Sequence, residues 1–219
     1  LDGQGTVRVC TTQNTVSISD ITIDNGNISG NGAGIKNSGD LTLADVIIED
    51  CDATSGAGGG IYSENGGLTL TRVTVQRCSS STAGGGVYYE GIPGFEGFGT
   101  SLLIEYSTID NNEADLAGGG IFMSIYRLAE FGFAYATIEY STISNNTDYG
   151  SEESGGGIYI VAGVSFQQQE IAVGYYVDMT NCTVSGNSSW GNGGGMFMGN
   201  PSYLSMTNCT VVENDADQD

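Results

Sequence analysis

The feature that most constrains this chain is a pair of short signatures that recur together. Gly155-Gly156-Gly157-Ile158-Tyr159 returns as Gly58-Gly59-Gly60-Ile61-Tyr62, Gly84-Gly85-Gly86-Val87-Tyr88, Gly118-Gly119-Gly120-Ile121-Phe122 and Gly193-Gly194-Gly195-Met196-Phe197, with a degenerate copy at Gly32-Ala33-Gly34-Ile35-Lys36. The second signature is an aliphatic residue followed three places on by Asn or Cys: Ile48/Cys51, Val75/Cys78, Ile109/Asn112, Ile143/Asn146, Val184/Asn187 and Val211/Asn214. Paired signatures repeating at this spacing define a solenoid, in which each repeat buries its apolar face only against its neighbours.

Aligning the repeats on the aliphatic anchor lets the chain be read in columns. The anchor column is Ile23, Ile48, Val75, Ile109, Ile143, Val184 and Val211, and the residue before it is Thr in every repeat but one, where Ile47 stands. Apolar residues alternating with hydroxyls describe a half-buried strand with the threonines outward. Leu41/Leu43, Leu68/Leu70 and Leu102/Ile104 give a second strand, and the triple-glycine segment gives a third, with Ile inward and the aromatic residue outward. The expected fold is all-β: a right-handed parallel β-helix of about seven rungs, three short strands each. Residues 1–219 form one domain, expected to be a segment of a longer protein or assembly.

Identical positions on successive rungs lie ~4.8 Å apart, so a buried Asn can bond the Asn above and below while satisfying corner backbone groups. Asn112, Asn146, Asn187 and Asn214 are expected to form such a ladder. A residue repeated on every rung reads as structural rather than catalytic.

Together, GG[GA]-aliphatic and aliphatic-x-x-Asn resemble the repeats of the chlamydial polymorphic outer-membrane proteins and related bacterial β-helix surface proteins, over about Gly32 to Asn214. Two departures stand out. The third motif position is Gly where that family favours Ala, and Ile or Val replaces its usual Phe before x-x-Asn. The resemblance implies a pectate-lyase-like β-helix and an adhesive, surface-exposed role.

Charge narrows the partners. Acidic residues number 26 against five basic ones, a net charge of −21, which repels nucleic-acid phosphates and anionic lipid. No apolar run approaches the ~18 residues of a membrane-spanning helix. The expected partners are neighbouring chains or further repeats at the rung ends, and carbohydrate. Neither end carries a helical cap, so both terminal rungs are expected to present open strand edges.

Four of the five cysteines fall in register: Cys51 with Cys78, and Cys182 with Cys209. Stacked Cα atoms ~4.8 Å apart suit a disulfide, and disulfides imply an oxidising compartment. The alternative is that they fill the core as small apolar residues. Cys10 has no mate in the alignment. Sequons at Asn27, Asn145, Asn181 and Asn208 are candidate glycosylation sites and agree with an extracellular or cell-surface location.

Three insertions, at Gly91–Gly99, Ser124–Tyr135 and Ala162–Tyr176, are apolar and aromatic and are expected to pack together on one flank. Tyr62, Tyr88, Phe122, Tyr159 and Phe197 form an outward aromatic column, the candidate binding face. No cofactor is required; Ca²⁺ is the one candidate ion, in the oxygen-rich turns carrying Asp110, Asp115, Asp148, Glu152 and Glu153.

Enzyme chemistry is the competing reading, because many β-helices cleave acidic polysaccharides. The chain has no histidine, which removes an Asp-plus-His hydrolase site, and Arg8, Arg72, Arg77 and Arg127 are the only candidates for an Arg base. Arg72 and Arg77 are placed to neutralise Asp45 and Asp50 one rung below. Glu105 and Glu139 are in register, as a carboxylate pair for glycoside hydrolysis or as a solvated ladder. The reading adopted is a non-catalytic extracellular structural and adhesion module, part of a filament or stalk. The alternatives are a polysaccharide lyase or glycoside hydrolase of the same fold, and ice binding through the threonine column.

Overall fold

The computed structural model describes residues 1–93, 100–125, 132–151, 154–161, 173–199 and 202–216. Every strand pairing among them is parallel, and each turn of chain lies one rung above the last. The chain curls through a 12-stranded sheet and two 7-stranded sheets, which together enclose one core.

The wide sheet joins two of the expected strand columns. Ile35–Ala44 pairs through Ile35↔Ile61 with the triple-glycine column and through Leu41↔Leu68 with the leucine column, and Cys10–Ser19 spans both in the same way. On later rungs the columns separate, and the longest leucine-column strands, Gly132–Glu139 and Val173–Thr180, take in the ends of two expected insertions. Ile125 of that set is buried at the end of strand Ile121–Ile125. Phe95, Phe98, Tyr126, Phe131, Val164, Phe166 and Ile171 lie outside the described residues.

The anchor sheet runs from Thr22–Asp24 to Thr210–Val212 in the expected register, Ile23↔Ile48 through Val184↔Val211. A further sheet was not expected. Two-residue strands, from Asn27–Ile28 to Asp215–Ala216, follow the Asn/Cys position on each rung, so a turn carries four strand segments rather than three. Two residues are too few to show an alternation.

The corners on either side of the anchor sheet are left-handed. Asp20, Asp45, Arg72, Tyr106, Tyr140, Asn181 and Asn208 precede it with φ between 49 and 58°, and Asn25, Asp50, Arg77, Asn111, Asn145 and Glu213 follow it with φ between 51 and 56°. Asn and Asp tolerate this backbone because their short polar side chains bond locally, which accounts for their frequency there.

The core holds the aliphatic columns together with two large tyrosines. Tyr175 donates from Oη to the Ser124 carbonyl at 2.9 Å and accepts from the Gly91 N–H at 3.1 Å, while Tyr89 donates to the Gly66 carbonyl at 3.2 Å. Each buried ring therefore keeps its hydroxyl satisfied.

The two ends differ, although Cys10–Ser19 pairs on one side only, with Ile35–Ala44, and so leaves the first edge of the wide sheet open as expected. The N-terminal residues run along the first rung: Asp24 N–H donates to the Leu1 carbonyl, Gly3 N–H to Asp24 and Asn27 N–H to Val7. At the other end an apolar hollow lies open, lined by Val184, Met196, Met198, Leu204, Met206 and Val211.

Candidate functional site: internal ladders and an outward aromatic face

The four asparagines stack as one hydrogen-bonded ladder. Asn112 Nδ2 donates to Asn146 Oδ1 at 3.0 Å, Asn146 to Asn187 at 2.9 Å and Asn187 to Asn214 at 2.9 Å. The same Oδ1 atoms accept the backbone N–H of the preceding rung's asparagine, and the Nδ2 groups donate to Val75, Ile109, Ile143 and Val184 carbonyls. Asn112, Asn146 and Asn187 are fully buried, so these amides are occupied in holding rungs together. A second, shorter polar ladder was not foreseen: Thr12 Oγ1 donates to Asn37 Oδ1, and Asn37 Nδ2 to Ser63 Oγ. Its signal was in the alignment, where these residues share the column of Met123 and Ile160.

The cysteines are free thiols, which corrects the disulfide assignments at Cys51, Cys78, Cys182 and Cys209. Their bonding shows why sulfur stands in those columns. Cys51 and Cys78 occupy the asparagine column, and the N–H groups of Gly26 and Cys51 turn to their sulfurs as the ladder N–H groups turn to Asn Oδ1. Cys182 Sγ donates to the Ile138 and Thr180 carbonyls, and Cys209 Sγ to Met179 and Thr207. Ser107 and Ser141, in the same column, donate to the carbonyls of Glu105 and Glu139. Each cysteine thus replaces a hydrogen-bonding residue in place. Burial pushes the Cys78 thiol well above its ordinary value, so it is protonated and unreactive at neutral pH.

The aromatic column is a continuous stack, with centroid separations of 4.8 Å for Tyr62–Tyr88, 5.0 Å for Tyr88–Phe122, 5.2 Å for Phe122–Tyr159 and 5.4 Å for Tyr159–Phe197. Tyr62 and Tyr159 are buried, Tyr88, Phe122 and Phe197 are half-buried, and the column from Tyr88 to Phe197 packs with Ala83, Ala117 and Val161 as a satellite core.

A second aromatic group lies on the outer face of the leucine column, where Tyr176 and Tyr203 are exposed and Phe133 and Tyr135 half-buried. Tyr176 and Tyr203 stack at 4.9 Å, Phe133 tilts against Tyr176 at 4.5 Å, and Tyr135 stands 5.8 Å from Tyr176. Across the same face, at the corner, Tyr106 and Tyr140 stack at 4.9 Å and are 57% and 49% exposed. The sequence reading placed Phe133, Tyr135 and Tyr176 in insertions rather than on a strand face, and passed over Tyr106, Tyr140 and Tyr203.

Among the sequon residues, Asn145 is exposed but donates to Asp110 Oδ1 at 2.8 Å, Asn208 is exposed, and Asn27 and Asn181 are half-buried. Arg72 forks onto Asp45, with both bonds at 2.6 Å, and Arg77 bridges Asp50 and Glu49. These are exposed pairs that neutralise a surface row of acids and add little stability.

Of the acids named for Ca²⁺, Asp110 accepts from Ser144 and Asn145, and Asp148 is buried inside the short-strand sheet. Asp115 is exposed, and Glu152 and Glu153 lie outside the described residues. Among the described residues, the acids that converge within 4.8 Å are Asp24, Glu49 and Asp50, where Arg77 already supplies positive charge.

Parallel rungs, three sheets around one core and an internal asparagine ladder define a β-helix solenoid. The chain belongs to the right-handed β-helix family: the family described as "Right handed beta helix region" matches residues 6–217. No curated protein and no solved structure gives a match.

Proposed function

We propose that this chain is a non-catalytic structural and adhesion module that works outside the cytoplasm, as part of a larger surface assembly. The observation that carries the reading is the division of labour between inside and outside. The repeated polar side chains are engaged in rung-to-rung bonds, from Asn112 through Asn214, while Tyr106, Tyr140, Tyr176 and Tyr203 stand exposed on one outer face and Tyr149 and Trp190 on another flank. Glu105 and Glu139 sit in register on adjacent strands, as a pair of like charges on a solvated sheet. The resemblance of the repeats to polymorphic outer-membrane proteins supports a surface setting, as do the sequons at Asn181 and Asn208.

Repetition along a stalk multiplies weak contacts into avidity. Tethering the chain to beads at high density and measuring retention on glycan-coated surfaces tests the proposal. Retention should exceed that of bare beads and rise steeply with density. Retention equal to bare beads at every density contradicts it.

A further inference from the structure

The two aromatic groups belong to one surface. Half-buried Phe133 and Tyr135 and exposed Tyr176 and Tyr203 form one rail along the rungs, and exposed Tyr106 and Tyr140 form a second at the opposite edge of the same sheet face, the two rails overlapping on the rung of Gly132–Glu139. Five residues separate Tyr135 from Tyr140, so at ~3.3 Å per residue the rails stand roughly 16 Å apart. Between them the outward positions are Leu103, Thr137, Asp178 and Ser205 in one column and Glu105, Glu139, Thr180 and Thr207 in the next, so apart from Leu103 they are hydroxyls and carboxylates. Arg72 stands one rung below Tyr106 in the second rail's own column, with its charge forked onto Asp45.

Two further observations mark the face as more than strand decoration. Tyr106 and Tyr140 adopt φ of 51 and 49°, where the same column elsewhere uses Asp, Arg or Asn. A bulky side chain is uncommon in that region, so two consecutive tyrosines there are costlier than the alternatives the column itself provides. Tyr176 is 38% exposed although it is on an inner rung, so its exposure does not come from the open end.

We propose that this trough binds a neutral, flat, β-linked oligosaccharide. The chemistry selects the class. Rings with equatorial hydroxyls present apolar C–H faces and edges that pack on aromatic rails, and their hydroxyls donate to the carboxylates and exchange hydrogen bonds with the Thr and Ser hydroxyls. Anionic glycans are repelled by Glu105, Glu139 and Asp178 and by the net charge of −21. The proposal rests on the non-catalytic adhesive reading and names its ligand class.

Cellohexaose is the probe, with hexagalacturonate as the charged comparison, in calorimetric titration and saturation-transfer NMR. Cellohexaose should bind saturably and hexagalacturonate should not. Tyr140→Asn and Tyr176→Ser, residues their own columns carry elsewhere, should each weaken binding about tenfold, while Trp190→Ala on another flank leaves it unchanged. Should a variant unfold, 3-fluorotyrosine in the wild-type chain reads the same contact, through ligand-dependent shifts of Tyr140 and Tyr176. No saturable binding, equal binding of hexagalacturonate, or full affinity in both folded tyrosine variants overturns the proposal. A mass spectrum of the bound sugar separates the two readings: cleaved hexamer contradicts the non-catalytic function while leaving the trough in place.

Discussion

The Cβ that Gly120 lacks would lie 2.9 Å from Cγ and Nδ2 of Asn146. The same relation links Gly86 to Asn112, Gly157 to Asn187 and Gly195 to Asn214, and it joins the two signatures into one packing unit. The third glycine repeats because the ladder amide, together with the carbonyl of the next rung's glycine (Gly157 O, 2.6 Å from the same point), occupies the space where a methyl would go. Gly120→Ala should therefore cost about 1–3 kcal/mol in denaturant unfolding, as overpacking in a tight core does. Gly67→Ala is the matched control, since its nearest neighbours would lie 3.5 and 3.6 Å away, and it should be close to neutral.

Removing a ladder residue should cost more. Asn146→Ala leaves Asn112 Nδ2 and the Asn112 N–H without their acceptor and the Ile109 carbonyl without its donor, all buried. At about 1–3 kcal/mol for each unsatisfied group, partly relieved by water, a loss of roughly 3–5 kcal/mol is expected. The check is a urea midpoint measured beside that of Asn145→Ala, whose exposed side chain makes a surface bond to Asp110.

Asp148 gives the molecule a pH dependence of definite sign. Burial raises its carboxyl above the ordinary value, against hydrogen bonds from Gly150, Ser154 and Ser189 that favour the charged form. A group raised on folding binds its proton more tightly in the native state. Its contribution is therefore fully present below the unfolded carboxyl pKa and is lost as pH rises through the folded one. Melting temperature should thus gain a contribution as pH falls from neutral toward about 4, and Asp148→Asn should abolish that part of the slope. The fork of Arg72 acts in the opposite sense and lower down: it lowers the Asp45 pKa, so its contribution is lost only as pH falls below the ordinary carboxyl range. A slope unchanged in Asp148→Asn would contradict the assignment.

The thiols offer a chemical test. Purified under non-reducing conditions and denatured, the chain should titrate five free thiols, with none of the mass loss that disulfides produce. In the native state Cys51, Cys78 and Cys182, buried and hydrogen-bonded to carbonyls, should be unreactive toward a thiol reagent. Recovery of a Cys51–Cys78 or Cys182–Cys209 peptide linked by a disulfide would contradict it.

Much of this fold was legible because a solenoid repeats its errors and its rules alike. The register of Ile23, Ile48 and Val75, the asparagine ladder and the pairing of Arg72 and Arg77 with Asp45 and Asp50 all follow from aligning the repeats. Three things did not. The two-residue strands carry no periodicity, and the left-handed corners tolerate residues as different as Asp20, Arg72 and Tyr106. Cys51 and Cys78 were read from spacing alone, which brings thiols together but does not say whether each sulfur is already engaged by its own neighbours. The outward tyrosines at 106, 140, 176 and 203 were missed because burial, which separates an aromatic stack inside the fold from one on its face, depends on what covers each column.

The central claim is that the repeated polar residues hold a scaffold together and that its outer face binds without turnover. The direct measurement is a day-long incubation of the chain with neutral and acidic polysaccharides, following new reducing ends and unsaturated uronate absorbance. The account predicts no product above the buffer blank from any polysaccharide. Time-dependent product that disappears in Glu105→Gln or Glu139→Gln would contradict it and assign those paired carboxylates to catalysis.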